Sequence, residues 1–405
     1  MKVISTIEIE MFPAKNGDCF LISCLGEKNT HILLDLGYPH TYRNYVRPKL
    51  ISLKEDKESL DLVAFTHIDQ DHIQGGITFF KENGDNHSPV IINVKEVWHN
   101  SYRHLNIGNS DLILNDKQSE QIKEITSYIE SDTEQESTKV SGKQGTWLGG
   151  ILYKQNYSWN SSFGGKAVSF SSKSINVGND VKITVLSPTE TELNNLKKIW
   201  IKELRKLFPE IPLTNDKIFD DAIEYCSKYL EPDGIPNKSE KSSYTENLTR
   251  LAAMPFVEDT DKINASSITF ILEYGGKRLL FLGDSPPSLI ENQLKEIFKE
   301  NDFPVYFDLI KVSHHGSENN TSESLMKYID SSRYLISTDG SGHGHPHTSA
   351  IARIVTRKSN GFKRKIFMSH RTPTSDFFNK DELKTKYNYE IHLPERVDQS
   401  SSIKI

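Results

Sequence analysis

An α/β sandwich with helices on its outer faces is the fold class the sequence predicts, and three observations carry that expectation. Short apolar runs of strand length, punctuated by Gly, Asn and Asp, fill the first hundred residues and return after residue 262. Helical spacing interleaves with those runs in both blocks, which favours sheets covered by helices. The composition suits a large packed chain. Its 405 residues are 36% apolar and include 19 Phe, 16 Tyr and 4 Trp, enough for a sizeable core.

The elements follow in order. Val3–Met11 alternates, Phe20–Leu25 and Ile32–Leu34 follow as strands, and Leu62–Phe65 is a short run of the fully buried type. Across Gln118–Glu130, Ile122, Ile125 and Ile129 recur at three and four residues, a helical stripe. The Ser-, Gly-, Lys- and Asn-rich stretch from about Glu134 to Asn179 reads as a long loop or an elaborated edge. Val181–Leu186 is a strand that stops before Pro188. Residues 190–262 then break the rhythm. Leu193, Leu196, Ile199, Trp200 and Leu204 suggest one helix and Ile218–Leu230 a second, so this segment is expected to be a helical insertion and a candidate lid. Ser267–Tyr274, Gly275-Gly276 and Lys277–Gly283 spell a hairpin. A helix with Ile290, Leu294, Ile297 and Phe298 on one face follows it. Asp308–His315 and Arg333–Gly340 are two more strand-like runs, with helical spacing around Leu325–Ile329 between them. Residues 1–405 are expected to form one domain, with 351–405 extending the sandwich at its C-terminal side.

Charge and composition narrow the function classes. With 49 basic and 55 acidic side chains the formal net charge is -6, so no global electrostatic case for nucleic-acid binding exists, although a local basic groove stays open. No apolar run approaches the roughly 18 residues that span a bilayer. Glu8 and Glu10 interrupt any signal-peptide core at the N-terminus. Three cysteines (Cys19, Cys24, Cys226) do not make a disulfide framework. A soluble cytoplasmic protein without membrane contact is the expectation.

The informative segment is Phe65-Thr66-His67-Ile68-Asp69-Gln70-Asp71-His72, with four candidate ligands just past a buried-type strand. Imidazole and carboxylate suit Zn²⁺, Mn²⁺ or Fe. Read blandly, the same residues are a solvated polar loop, but their density at a strand end, with Gly75-Gly76 next, favours the metal. Asp284 emerges at the end of Leu279–Leu282, where its carboxylate can bridge two ions; alone, Gly283-Asp284 would be ordinary turn chemistry. His314-His315-Gly316-Ser317 closes another strand. Adjacent side chains of an extended chain point to opposite sides, so only one of the two imidazoles is expected to bind metal. His343-Gly344-His345-Pro346-His347 is a His-rich loop that alone would be surface decoration and gains meaning from its company.

Together with Asn16-Gly17-Asp18 and Leu33-Leu34-Asp35-Leu36-Gly37, these motifs resemble the metallo-β-lactamase superfamily. The nearest branch is that of the soluble domain of the ComEC-type DNA-uptake protein, which carries Asp at the second His of the HxHxDH signature, as Asp69 stands here. The resemblance runs from about residue 5 to 350 with 190–262 as an insertion. It implies an αββα sandwich with two divalent ions (Zn or Mn), or a single one, at the sandwich edge. Carried over by position, His67, Asp69, Asp71, His72, Asp284 and His315 would be ligands, and His345 a substrate-contacting or proton-transfer residue. One departure stands out. Many members supply a further His where this chain reads Val185-Leu186-Ser187-Pro188, although ComEC-like members often lack it too. His99 and His104 are candidate substitutes that read better as unligated residues. The membrane spans of the DNA-uptake protein are missing, so a transport role is not implied.

The chemistry expected is hydrolysis, since a divalent ion lowers the pKa of coordinated water towards about 7. Asp71 would steer the nucleophile's proton, and His345 or His314 would stabilise an oxyanion or protonate the leaving group. A phosphodiester, in DNA or a small nucleotide, is the first-choice substrate. Arg353, Arg357, Lys358, Lys363, Arg364, Lys365 and Arg371 fall within Ile351–Ser375 with no acidic residue among them, a run that binds a polyanion or merely forms a solvated face. The alternatives are a metallo-hydrolase of another ester, such as a phosphocholine ester or a lactone, and a non-catalytic or partner-activated module that keeps the fold. The last would bring a protein partner; the intact ligand set speaks against it.

Overall fold

A computed structural model describes residues 5–129, 144–145, 147–171, 173–229, 247–359, 361–396 and 398–405. Two mixed sheets organise it. The first runs, in spatial order, Ser401–Lys404, Thr6–Met11, Cys19–Leu25, Thr30–Leu36, Leu62–Ala64 and Val97–Trp98. Its first three pairings are antiparallel and its last two parallel. The second runs Tyr389–His392, Arg364–Met368, Arg333–Ile336, Leu309–Lys311, Lys277–Phe281, Thr269–Tyr274, Val181–Ser187 and Ile175–Val177. It is parallel from Tyr389–His392 to Lys277–Phe281, then antiparallel through the hairpin and beyond.

Alternation of side chains across these strands builds three apolar layers. Between the sheets, Ile7, Ile9, Ile22 and Leu34 face Ile183, Phe270, Leu279 and Phe281. On the far side of the first sheet, Leu21, Leu33 and Val63 meet helices Arg47–Glu55, Gln70–Asn83 and Leu148–Lys154 through Leu50, Ile73, Ile77, Phe80 and Ile151. On the far side of the second, Leu280, Ile310, Ile336 and Ile366 meet helices Pro287–Ile297 and Thr348–Val355 through Ile290, Leu294, Ile351 and Ile354. The order helix, sheet, sheet, helix is an αββα sandwich. The residues after 351 supply strands to both sheets.

Helices Glu190–Leu207 and Ile218–Tyr229 form where the periodicity places them, and a fourth apolar cluster joins their Leu196, Trp200, Phe219 and Ile223 to Ile122 and Tyr102. Ile68, from the His/Asp segment, is packed into that same cluster, and Ser227 Oγ donates to the Ile68 carbonyl at 2.9 Å. The helical segment therefore grips the backbone between His67 and Asp69. The charged connector after Leu230 lies outside the described residues.

Two expectations need correcting. The helix read over Gln118–Glu130 spans Asp116–Thr126: the backbone leaves the helical region at Ser127 (φ -58, ψ 126), and Ile129 falls in the short strand Tyr128–Ile129. The stretch from 134 to 179 is not only loop: Leu148–Lys154 is a helix and Ile175–Val177 a strand. The helix is short and carries Gly149-Gly150, so its own propensity is poor. Tertiary contacts supply what propensity lacks. The Glu224 carboxylate accepts from Leu148 N at 2.7 Å and Gly149 N at 2.9 Å, which satisfies the first free amides of the helix.

Candidate metal centre

Loops from both sheets meet at one end of the sandwich. His67 and Asp69 follow the strand Leu62–Ala64, and Asp71 and His72 occupy the first turn of the helix Gln70–Asn83. Gly75 and Gly76 belong to that helix, and their role is close packing. A Cβ at Gly75 would stand 2.1 Å from the Leu36 carbonyl oxygen, and one at Gly76 2.4 Å from the Phe65 ring. The helix thus docks tightly enough to carry His72 into the interior. Asp284 follows Lys277–Phe281, His314 and His315 follow Leu309–Lys311, and His345 lies in the loop before the helix Thr348–Val355.

The second sheet's residues converge on those of the first. Asp284 Oδ2 stands 4.0 Å from His67 Nε2, 3.7 Å from His72 Nε2, 3.8 Å from His314 Nε2 and 3.6 Å from His315 Nε2. Asp69 Oδ2 lies 3.4 Å from His67 Nε2, and Asp71 reaches both His72 Nε2 (3.9 Å) and His315 Nε2 (3.6 Å). Most of these separations are too long for hydrogen bonds. They are close to the separation of two atoms bound to one ion at ~2.1 Å, about 3.4 Å at a tetrahedral angle and more at wider ones.

Each imidazole is held by its other nitrogen. His72 Nδ1 faces Asp35 Oδ2 at 3.0 Å, and His315 Nδ1 the Ser337 carbonyl at 2.8 Å. His314 Nδ1 faces Asn320 Oδ1 at 3.0 Å. His67 Nδ1 faces Thr66 Oγ1 at 3.0 Å, whose own proton goes to Asp35 Oδ2 at 2.9 Å. These partners accept, so Nδ1 carries the hydrogen, and in the neutral ring Nε2 presents its lone pair. His67 Nε2, His72 Nε2, His315 Nε2 and Asp284 Oδ1 are buried with no hydrogen-bond partner among the described residues. Orphaned buried acceptors aimed at a common carboxylate are costly in a protein without ions and fit a protein that binds them. The ligand atoms of His67, His72 and Asp284 lie within 4.8 Å of one another, as do those of Asp71, His72 and His315. A third such group, Asp18, Asp35 and His72, lies beside these two, and His72 belongs to all three.

The charge balance agrees. Burial opposes a charged imidazole at His67, but Asp69 and Asp284 overcome it and push the ring up to about 10. At His315, Asp284 and Asp18 likewise outweigh burial and lift the ring to about 9. Asp284, although buried, is held well below the carboxylate range by His315, His314 and His72. The cluster thus demands positive charge that ions or protons can supply. His345 is the exception: burial and the rings of His314 and His347 push it well below the usual His value. Its ring lies 5.1 Å from that of His314 and 6.2 Å from that of His315.

The structure corrects the expectation for the adjacent histidines. His314 (φ 46, ψ 54) and His315 (φ 53, ψ 22) are left-handed, not extended, and Gly316 (φ 82) continues the turn. Both rings therefore reach Asp284. A Cβ on Gly316 would stand 2.7 Å from Pro346 Cβ, so this turn interlocks with the His345-Pro346 loop. Neither His99 nor His104 joins the cluster. His99 pairs with Glu224 at 3.1 Å, and burial together with His99 pushes His104 down to about 3. Ser187, at the strand end that lacks a His, donates to Ser267 O at 2.7 Å and contacts Thr269 Oγ1 and Ser285 Oγ.

Sequence reasoning missed the supporting groups. Asn16 Nδ2 donates to Asp71 Oδ2 at 3.2 Å, and a Cβ on Gly17 would stand 2.0 Å from the Asp71 carbonyl oxygen. Asp18 pairs with the buried Lys311, whose Nζ also lies 3.6 Å from Asp284 Oδ1. Burial opposes the Asp18 charge, yet Lys311 and His315 hold this acid at about 2. Its polar motif of Asn16 to Asp18 was the only signal available. Asp259, within the helical segment, faces His314 Nδ1 at 3.3 Å.

No protein-family model matches the chain, and no curated protein matches it. Among solved structures, it is similar to the metallo-beta-lactamase fold protein YhfI from Bacillus subtilis. That similarity has 10% identity, covers 98% of this chain and 100% of the other, and reaches a TM-score of 0.35. A likeness of that size carries no weight by itself; the layer order and the converging side chains define the fold and the site.

Proposed function

We propose that the chain is a metal-dependent hydrolase and that its two-ion centre cleaves phosphodiesters. The observation that carries this reading is the gathering of four imidazole Nε2 atoms within 4.0 Å of one buried carboxylate oxygen, each with its Nδ1 engaged elsewhere. His67, Asp69, Asp71, His72, Asp284 and His315 would hold the ions, and the mixed imidazole and carboxylate set suits Zn²⁺ or Mn²⁺. Bound there, divalent ions supply Lewis acidity and hydroxide at neutral pH. Asp71, fixed by Asn16 and one-fifth exposed, is the carboxylate placed to accept the attacking water's proton. His345 is neutral at pH 7 and so suits hydrogen bonding to a developing oxyanion better than acid catalysis.

The basic run after Ile351 does not strengthen a nucleic-acid substrate. Arg353 donates to the Glu318 and Thr321 carbonyls, Arg357 to those of Met326 and Ile329, and Arg364 is buried against Asp330. Lys363 and Arg371 pair with Glu390 and Asp376. A small phosphodiester is therefore favoured over DNA. A second reading has its own observation. A cleft of about 250 Å³ shares Asp259 with the site and is lined by Glu192, Glu258 and Asp261 against a single cation, Lys262. Such a cleft suits a substrate whose phosphoryl group carries a neutral or cationic substituent, as in a phosphocholine ester.

Bis(p-nitrophenyl) phosphate, p-nitrophenyl phosphocholine and a lactone, assayed with Mn²⁺ or Zn²⁺, test both readings. Turnover of the first should be metal-dependent and fall at least about 100-fold in Asp71→Ala. Preference for the phosphocholine ester would select the second reading, and equal rates in wild type and Asp71→Ala would overturn the hydrolase centre.

A further inference from the structure

We infer that His314 is itself a metal ligand, supplying beside Asp284 the imidazole that the strand end at Ser187 lacks. This rests on the two-ion reading above and replaces the proton-donor role that the sequence suggests for His314.

Three observations converge on it. The first is backbone conformation. His314 and His315 are successive left-handed residues, a state that side chains with a Cβ rarely adopt, and sparsely populated conformations persist where the surroundings enforce them. The effect here is to bring a second imidazole to Asp284 Oδ2, at 3.8 Å, the separation of two atoms bound to one ion at ~2.1 Å and an angle of about 130°. The second is tautomer. Asn320 Nδ2 donates to Asp259 Oδ2 and to the Asp284 carbonyl, both at 3.0 Å, so Asn320 Oδ1 is fixed towards His314 as an acceptor. With Asp259 Oδ2 also facing Nδ1, the hydrogen sits on Nδ1 and the Nε2 lone pair points at the site. A carboxylate or amide oxygen behind an imidazole is the usual support of a metal-binding His. The third is the alternative supplier. The Ser187 hydroxyl is engaged by Ser267, Thr269 and Ser285, and His99 and His104 lie in a separate cluster, whereas His314 Nε2 stands 3.8 Å from Asp284 Oδ2.

His314→Asn is the variant of choice, because Asn tolerates the left-handed backbone while its shorter amide does not reach. Mn²⁺-loaded wild type and variant would be compared by metal content per chain and by electron paramagnetic resonance. The expected result is two exchange-coupled ions in the wild type and one isolated ion in His314→Asn, with unchanged circular dichroism. Asp259→Asn, which acts through His314, should retain the coupled spectrum but weaken Mn²⁺ at one position by roughly 10–100-fold. If His314→Asn fails to fold, that titration decides, and unchanged affinity at both positions overturns the inference. Two coupled ions in a folded His314→Asn also overturn it, leaving the hydrolase reading intact. A wild type that binds no ion instead overturns the hydrolase reading and this inference together.

Discussion

Asp35 holds three groups with one carboxylate: Thr66 N at 2.8 Å, Thr66 Oγ1 at 2.9 Å and His72 Nδ1 at 3.0 Å. Asp35→Ala is expected to lower Mn²⁺ affinity by about 10–100-fold in a calorimetric titration, although Asp35 is not a proposed ligand. Lys311 and Asp18 are a buried pair, each 1% exposed. Lys311→Met leaves the buried Asp18 charge with the His315 ring, 3.4 Å away, as its nearest remaining compensation, and urea unfolding of the ion-free protein should show a loss of about 3 kcal/mol. The raised imidazoles predict a pH dependence. His67 at about 10 and His315 at about 9 stand above the ordinary 6.5, so their protonation stabilises the ion-free fold. That contribution is complete below pH 6.5 and is lost as the pH rises through 9 to 10. Ions compete with the same protons, so Mn²⁺ affinity should climb over that window with proton release, measurable in buffers of different ionisation enthalpy. Binding without proton release would contradict the assignment of these rings. At this scale the sequence exposes candidate ligands because they cluster in short motifs. It shows Asn16 and Asp35 in short motifs but hides what they support, and hides Asp259 altogether, because Asp35, Asn16 and Asp259 meet their partners across 37, 55 and 55 positions of chain, the last being 314 minus 259.

The helix Gln70–Asn83 carries two proposed ligands on its first turn and is seated by glycines on its inner face. Gly75→Ala should therefore cost about 3 kcal/mol in urea unfolding, since its Cβ would meet backbone that cannot yield like a flexible side chain. Strands and long helices were legible because periods of two and near four survive in the sequence: the hairpin around Gly275-Gly276 and the helix Glu190–Leu207 stand where patterning puts them. The helix Leu148–Lys154 was not, because its start is secured by Glu224 from 75 residues away. Part of the basic run is engaged inside the fold for a related reason. Guanidinium groups of Arg353, Arg357 and Arg364 are spent on carbonyls and on Asp330, partners that no local window reveals.

Across the whole molecule, the proposed ligands come from both sheets, so ions would fasten one half of the sandwich to the other. Thermal unfolding should shift upward with added Mn²⁺, by about 2.7 kcal/mol at 100 times Kd, and chelator should reverse it. A midpoint indifferent to Mn²⁺ would contradict that seam. Among the described residues no helix is long and apolar enough to cross a membrane. The strand Ser401–Lys404 has a different consequence. It covers the outer edge of Thr6–Met11, pinned by Lys404 to Glu8 at 2.7 Å and by Ser400 to Glu10 at 2.8 Å. It is short, turns only Ile403 into the core and ends in a lysine, a poor template for further strands. The strand beneath it is longer and carries Ile7, Ile9 and Met11. Removing residues 399–405 would bare that ladder, and light scattering should then report self-association through edge-to-edge pairing that the full chain suppresses.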